Sequence, residues 1–134
     1  DGLGFFANFT ASRSEADLGD ARPGEKLTFQ QHSKRIGNLA LSYEKNGFFV
    51  RASLNYRTSY LDSIGGSPEG DLFVDDHVQI DITANYRLRR HLTFYVEALN
   101  VTGEPYHSYY GVSGRNRKAE EYKWAANFGV RYRL

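Results

Sequence analysis

Six segments of the chain alternate between apolar and polar side chains. In residues 122–134, the even-numbered positions are all apolar or aromatic, while the odd-numbered positions are polar or small. Because successive side chains of a β-strand point to opposite faces, this pattern predicts a strand with one apolar and one polar face. The same alternation recurs in residues 3–12, 37–45, 48–58, 78–88 and 92–101. The sequence therefore predicts an all-β chain of about six strands.

The connections between these segments are of two kinds. Residues 44–47 (EKNG) and 88–91 (LRRH) are tight hairpin turns, and the Asn-Gly pair suits a turn with positive φ angles. The three other connections are long: residues 13–35, 59–76 and 102–121. In an antiparallel up-and-down meander, alternate connections emerge at the same end, so short turns and long loops collect at opposite rims. This asymmetry is typical of outer-membrane β-barrels.

Composition further limits the classes of protein to which the chain can belong. The chain has 134 residues, a net charge of +1, 15% aromatic residues and no cysteine. The small net charge gives no reason to expect a nucleic-acid partner, and disulfides are excluded. No apolar run is long enough for a membrane helix, but a barrel strand needs apolar residues only at every second position. The opening residues, DGLGFFANFT, lack the features of a signal peptide, so we expect any export signal to lie upstream.

Aromatic residues on the apolar face sort onto two levels when the short turns are placed at the bottom. Tyr and Trp favour the two boundaries of a membrane because the ring prefers hydrocarbon and the polar atom prefers water. The predicted membrane-interface aromatics are Tyr43, Phe48, Tyr56, Tyr86, Phe94, Trp124 and Tyr132. If the apolar face instead packs inside a soluble barrel, the same residues are core aromatics.

Residues 38–134 resemble a known family. The stretches NLALSYEKNGFFVRASLNYRTSYLD, DDHVQIDITANYRLRRHLTFYVEALNVTGEPY and EEYKWAANFGVRYRL resemble the C-terminal end of bacterial TonB-dependent outer-membrane receptors. The resemblance implies a transmembrane β-barrel of about 22 strands with a plug domain in its lumen. Residues 1–134 would then form the C-terminal part of the barrel domain, and the plug and the upstream strands would lie outside this chain.

The resemblance also implies a function and a set of partners. Such receptors lie in the bacterial outer membrane and import a scarce ligand, such as a ferric siderophore or a saccharide, using TonB and the proton motive force. The implied partners are the remaining strands and plug, the TonB complex, the barrel-assembly machinery, and outer-membrane lipid and lipopolysaccharide. Asn127, Gly129, Tyr132 and Leu134 resemble the C-terminal assembly signal of barrels, although family members usually end on Phe and this chain ends on Leu.

No residue pattern predicts catalysis, a metal site or a cofactor. The four histidines lack metal-ligand spacing, so we expect a protein that is not an enzyme. Small-molecule recognition is predicted in the last long loop, where tyrosines can stack on a sugar or aryl face and arginines can bind carboxylate or phosphate. The predicted ligand-binding residues are Tyr106, His107, Tyr109, Tyr110, Arg115 and Arg117. The alternative is that this loop contacts lipopolysaccharide or neighbouring loops.

Two other classes of protein share parts of this pattern. A passive porin or an oligomeric barrel would have the same lipid-facing alternation without a plug or TonB. A soluble ligand-binding β-barrel would need a sheet that closes and encloses a core within this chain alone.

Overall fold

In the computed structural model, which describes residues 2–134, the chain folds into three antiparallel sheets. The strands are β1 (Gly2–Ala11), β2 (Ala16–Asp17), β3 (Lys26–Leu27), β4 (Arg35–Lys45), β5 (Phe48–Arg57), β6 (Tyr60–Ser63), β7 (Leu72–Val74), β8 (His77–Arg89), β9 (Leu92–Leu99), β10 (Tyr106–Tyr110), β11 (Asn116–Glu120) and β12 (Ala125–Tyr132). Two short 3-10 turns, Gly19–Ala21 and Pro68–Gly70, complete the structure. None of the helices within residues 2–134 is long and apolar enough to cross a membrane.

The largest sheet has six strands in the order β1-β4-β5-β8-β9-β12. Each strand pairs antiparallel with the next long strand along the chain, which confirms the predicted all-β, up-and-down meander. The register also keeps the predicted faces together across the sheet. For example, Leu41 lies opposite Ala52, which lies opposite Ile82, which lies opposite Ala98. The alternate positions that the sequence marks as apolar therefore share one face, which we call the apolar face, although a few apolar side chains such as Phe6 and Phe49 lie on the other face.

The turn between β4 and β5 has the predicted geometry. Asn46 and Gly47 have φ angles of 51° and 80°, as a two-residue hairpin with positive φ requires. Gly47 is also needed for space, because a Cβ there would lie 2.9 Å from the backbone oxygen of Arg87. The backbone N–H of Arg87 donates to the Gly47 oxygen at 2.8 Å, so this turn is held against β8.

The three long connections are more ordered than the sequence suggested. We call residues 12–34, 58–76 and 100–124 together the cap. The cap holds a two-stranded sheet of β2 and β3, and a four-stranded sheet in the order β11-β10-β7-β6. These strands are two to five residues long, too short to show a clear alternation, and β7 and β10 pair with each other although they belong to different connections. This is why the pattern of the sequence predicted only loops there.

The last strand is shorter than predicted. β12 begins at Ala125, so Tyr122 and Trp124 precede it. The side-chain Nδ2 of Asn100 donates to the backbone oxygen of Tyr122 at 2.5 Å, which holds this segment against the end of β9.

Buried apolar side chains lie mainly in the cap. Leu61, Leu72 and Val74 are 1%, 5% and 2% exposed, whereas Leu3, Phe5 and Phe128 on the apolar face are 88%, 71% and 81% exposed. Within residues 2–134 no second layer covers the apolar face, and the six-stranded sheet does not close. β1 and β12 are its two edge strands.

Candidate functional site

The three connections of the cap meet at Asp71. Its side chain is paired with Arg22 from the first connection at 2.6 Å, and both residues are buried. Its Oδ1 also accepts from the backbone N–H of Gly65 at 2.9 Å, and its backbone oxygen accepts from Gly111 of the third connection at 2.9 Å. Arg22 pairs in addition with Glu25, and these two carboxylates raise the pKa of its guanidinium. Asp71 therefore fixes the three connections to one another.

A cavity of about 340 Å³ lies between the first connection and the four-stranded sheet. Its lining combines two cationic side chains, several hydroxyl groups and two stacked aromatic rings. The lining residues are Thr28, His32, Lys34, Arg35, Thr58, Ser59, Tyr60, Leu61, Phe73 and Tyr109. No Asp or Glu is among them. The cavity therefore suits a ligand that carries a phosphate or carboxylate group beside an apolar or aromatic surface.

The cavity lies at the edge of the apolar face. Arg35 pairs with Ala11 and its backbone oxygen accepts from the N–H of Thr58 at 3.0 Å, so Arg35 and Thr58 continue the register of the apolar side chains. His32 is positioned beside them by Ser12 and Ser14, whose hydroxyls lie 2.8 Å and 2.5 Å from its two ring nitrogens. Arg35, one of the cationic groups of the cavity, thus lies where the apolar face ends.

A second group of polar side chains lies near the end of the polar face. The guanidinium of Arg57 lies over the ring of Tyr60, with 5.0 Å between its central carbon and the ring centroid. Within residues 2–134, Nη1 of Arg57 is the one buried side-chain nitrogen or oxygen without a protein hydrogen-bond partner. Burial, together with nearby Tyr60 and Asp62, raises the pKa of Tyr106.

The predicted ligand-binding residues do not form one cluster. Tyr106, His107, Tyr109 and Tyr110 all lie on β10, but alternation along the strand places Tyr109 on the side of Phe73 and puts Tyr106 and Tyr110 on the opposite side. Tyr109 is the one among the predicted residues that lines the cavity. Its ring stacks on Phe73 with centroids 5.5 Å apart, and burial raises its pKa.

Of the other predicted residues, Arg115 and Arg117 follow the outer end of β10 along the chain, and His107 lies near its start. Arg115 lies in the turn that follows, where its backbone bonds to Tyr110 and Val112. Arg117 on β11 lies over the ring of Tyr110, with 5.7 Å between its central guanidinium carbon and the ring centroid. His107 accepts a backbone hydrogen bond from Asp75 at 3.0 Å. Ligand binding by these residues stays a prediction.

The predicted interface aromatics form two rows across the sheet. Phe48 lies opposite Tyr86 and Tyr86 lies opposite Phe94, so three aromatic rings occupy neighbouring strands at one level. At the other end of the apolar face, Phe9 and Tyr56 both lie opposite Gly37. A Cβ at position 37 would lie 3.6 Å from the Phe9 ring and 3.9 Å from the Tyr56 ring, which is ordinary van der Waals contact.

The remaining predicted aromatics lie near these rows. Tyr43 lies opposite Val50, one step inward from the lower row on the neighbouring strand, and Tyr132 lies opposite Leu92 at the short-turn end. Trp124 is 65% exposed and lies just before β12. The role of all these rings at a membrane boundary stays a prediction.

The residues that resemble an assembly signal lie on the outermost strand. Asn127, Gly129 and Tyr132 belong to β12, and Leu134 follows its end. Gly129 lies opposite Tyr95, and a Cβ at Gly129 would lie 2.5 Å from the Tyr95 hydroxyl oxygen. The Tyr95 side chain therefore lies across Gly129, which gives this glycine a packing role in addition to the predicted one.

Asn100 is a structural residue that the sequence analysis missed. It ends β9 with a φ of 50° and is 8% exposed. Its backbone N–H donates to Asp81 at 2.9 Å, its Nδ2 donates to the backbone oxygens of Glu104 and Tyr122, and its Oδ1 accepts from the N–H of Glu104. An Asn near the end of the alternating segment 92–101 is the one sequence signal that could have indicated this position.

Within residues 2–134, no group of three or more His, Cys, Asp and Glu side chains is arranged to hold a metal ion. Comparisons with protein-family models, with curated proteins and with solved structures found no match to this chain.

Proposed function

We propose that this chain is the C-terminal segment of a transmembrane β-barrel, and that the whole protein is a TonB-dependent receptor of the bacterial outer membrane that imports a scarce ligand. The observation that carries the proposal is the uncovered apolar face. It runs without a polar interruption across six strands, while the charged side chains collect on the opposite face or at the rims. Contact with lipid hydrocarbon would stabilise such a face, because it removes the apolar side chains from water.

The two edges of the sheet support the same proposal. β1 and β12 each pair on one side only. In hydrocarbon, each unpaired backbone group costs several kcal/mol, so a spanning sheet must close. Six strands are too few for any known single-chain barrel of this kind, where eight is the usual minimum. The upstream part of the same protein is the expected source of the missing strands.

The two aromatic rows have the spacing that a membrane requires. Phe48 and Tyr56 lie on β5, and a rise of ~3.3 Å per residue separates them by roughly 26 Å along the strand. A strand tilt of ~40° reduces this to a height of about 20 Å, close to the ~25 Å apolar band of outer-membrane barrels. The cap then lies beyond the upper row, on the cell exterior.

The two sides of the cap suit two different ligands. Arg57 and Tyr106 continue the polar face, which borders the lumen in the proposed barrel, and therefore suit the imported ligand. Tyr60 contacts Arg57 and also lines the cavity, so it borders both sites. The cavity beside Tyr109 continues the apolar face, where Lys34 and Arg35 can bind the phosphate groups of lipopolysaccharide. We therefore expect Tyr109 to contact lipopolysaccharide and Tyr106 to contact the imported ligand.

Uptake into whole cells tests the active mechanism. The full-length gene product would be expressed in the outer membrane, and cells would be incubated with a labelled ferric catecholate chelate or a labelled linear oligosaccharide. We expect uptake of one probe that stops when a protonophore collapses the proton gradient or when TonB is deleted. A passive porin would give uptake that is insensitive to both treatments. Recovery of the protein in the soluble fraction without detergent would instead support the soluble barrel.

A further inference from the structure

A basic pocket lies on the polar face at the short-turn rim, far from the cap. Its volume is about 250 Å³, and it is lined by Arg87, Arg90, His91, Thr93, Arg131 and Arg133. Four of its six lining side chains are permanently charged guanidinium groups. None of these residues has a role in the function proposed above.

The register of the sheet brings these side chains together. Arg87 lies opposite Thr93, and Thr93 lies opposite Arg131, so the two arginines share one level with a hydroxyl between them. Adjacent strands are ~4.8 Å apart, which separates the two arginine backbones by roughly 10 Å. Arg133 lies two residues further along β12, and its backbone N–H donates to the oxygen of His91 at 3.0 Å. The end of the last strand is therefore fixed against the turn that carries Arg90.

Among the described residues, no acidic side chain forms an ion pair with this pocket. Within residues 2–134, the ion pairs all lie in the cap, and none includes an arginine of the basic pocket. The nearest acid on the polar face of β9 is Glu97, four residues from Thr93 and hence ~13 Å along the strand. Arg131 instead lies over the ring of Tyr95 at 5.9 Å, which leaves its N–H groups free for an anion.

We propose that this basic pocket binds a phosphate group. Four like charges around one small volume repel each other, and an anion with at least two negative charges relieves that repulsion. A phosphate presents three or more strong acceptor oxygens, so several guanidinium forks and the Thr93 hydroxyl can bind it together, whereas one carboxylate has two oxygens to share. The phosphate can belong to a soluble phosphate compound or to a phospholipid headgroup at the adjacent rim.

The binding test uses the full-length gene product purified in detergent, with inorganic pyrophosphate as the probe in a calorimetric titration. We expect saturable binding that the double variant R131Q/R133Q weakens roughly tenfold or more, because each substitution removes charge-assisted hydrogen bonds. The matched control is Arg51→Gln, which changes a polar-face arginine of β5 that bonds to Ser53 and lies outside the pocket. The control should bind pyrophosphate as the unchanged protein does.

A second measurement separates the two sources of phosphate. The protein would be placed in nanodiscs of phosphatidylcholine with or without phosphatidic acid, and the lipids that stay bound would be counted by native mass spectrometry. Retention of phosphatidic acid that is lost in R131Q/R133Q assigns the pocket to a headgroup, while pyrophosphate binding alone assigns it to a soluble phosphate. If neither probe binds, or if Arg51→Gln weakens binding equally, the proposal is wrong. These measurements are independent of transport, so they stand whether or not uptake is observed.

Discussion

The free-energy cost of a single arginine on the apolar face depends on whether that face contacts lipid, protein or water. Ile82 lies at the middle of β8 and is flanked by Ala52 and Ala98, so an arginine there finds no polar partner on its own face. In a lipid bilayer, Arg near the midplane costs ~2–4 kcal/mol, which is roughly a 30- to 900-fold loss in the folding equilibrium. We therefore expect Ile82→Arg to be strongly destabilising.

Two matched variants on the same strand complete the series. Thr83→Arg places the same side chain one residue away on the polar face, between Arg51 and Glu97, and should change stability by no more than ~0.5 kcal/mol. Leu88→Arg lies ~20 Å further along β8, at the bulge where the register shifts between Arg87 and Arg89, and about 15 Å lower at a tilt of ~40°. This position is near the membrane boundary, so the cost should fall to ~0–1 kcal/mol.

The assay is urea unfolding of the full-length protein refolded into lipid vesicles, followed by the loss of the band that runs as folded barrel in unheated gel samples. The expected order of cost is Ile82→Arg first, Leu88→Arg second and Thr83→Arg last. Ile82→Ala corrects for the lost apolar side chain. Equal costs at Ile82 and Leu88 would mean that protein rather than lipid covers the face, because a protein interior has no dependence on membrane depth. A negligible cost at Ile82 would mean that the face contacts water.

Three further predictions concern the cap and the last strand. Gly129→Ala should lower the fraction of heat-modifiable barrel, because the new Cβ meets the Tyr95 hydroxyl at 2.5 Å, and adding Tyr95→Ser should restore it; no restoration would mean that the glycine is needed only as an assembly signal. Asp71→Asn keeps the shape but removes the carboxylate that pairs with a buried arginine, so trypsin added to intact cells should cut the cap several-fold faster without a change in barrel content. Tyr106→Ala should lower ligand uptake and leave co-purified lipopolysaccharide unchanged, whereas Tyr109→Ala should do the reverse; the same effect of both changes on uptake would contradict the proposed division of the cap.

The alternation of side chains was sufficient to predict the large sheet. A strand has a side-chain period of two, so a shift of one residue would move every apolar side chain of a segment to the wrong face. The register Phe48–Tyr86–Phe94 follows from this constraint together with two tight turns. Local sequence therefore carries both the strands and their pairing.

The cap could not be predicted in the same way. Its key contact joins Arg22 to Asp71 across 49 residues of chain, and no periodicity marks either residue. Its strands are too short to show which side a residue occupies, so the tyrosines of β10 were treated as one cluster although Tyr106 and Tyr109 point to opposite sides. The close approach of Tyr95 to Gly129 likewise depends on pairing between strands rather than on either residue alone.

The apolar face, the two edges and the polar face of the six-stranded sheet each need a different environment. Strands ~4.8 Å apart and ~30 Å long give an apolar face of roughly 850 Å², beyond the patch of a few hundred Å² that soluble monomers expose. The edges β1 and β12 require further strands. The polar face carries arginines at the short-turn rim that require anions and water. A soluble barrel that turns the apolar face inward would satisfy the first two requirements. Its core, however, would give no physical reason for aromatic residues to collect in two rows at opposite ends of the strands. The proposed barrel wall in a membrane would meet all of these requirements, because hydrocarbon, neighbouring strands and an aqueous lumen would lie on the corresponding sides.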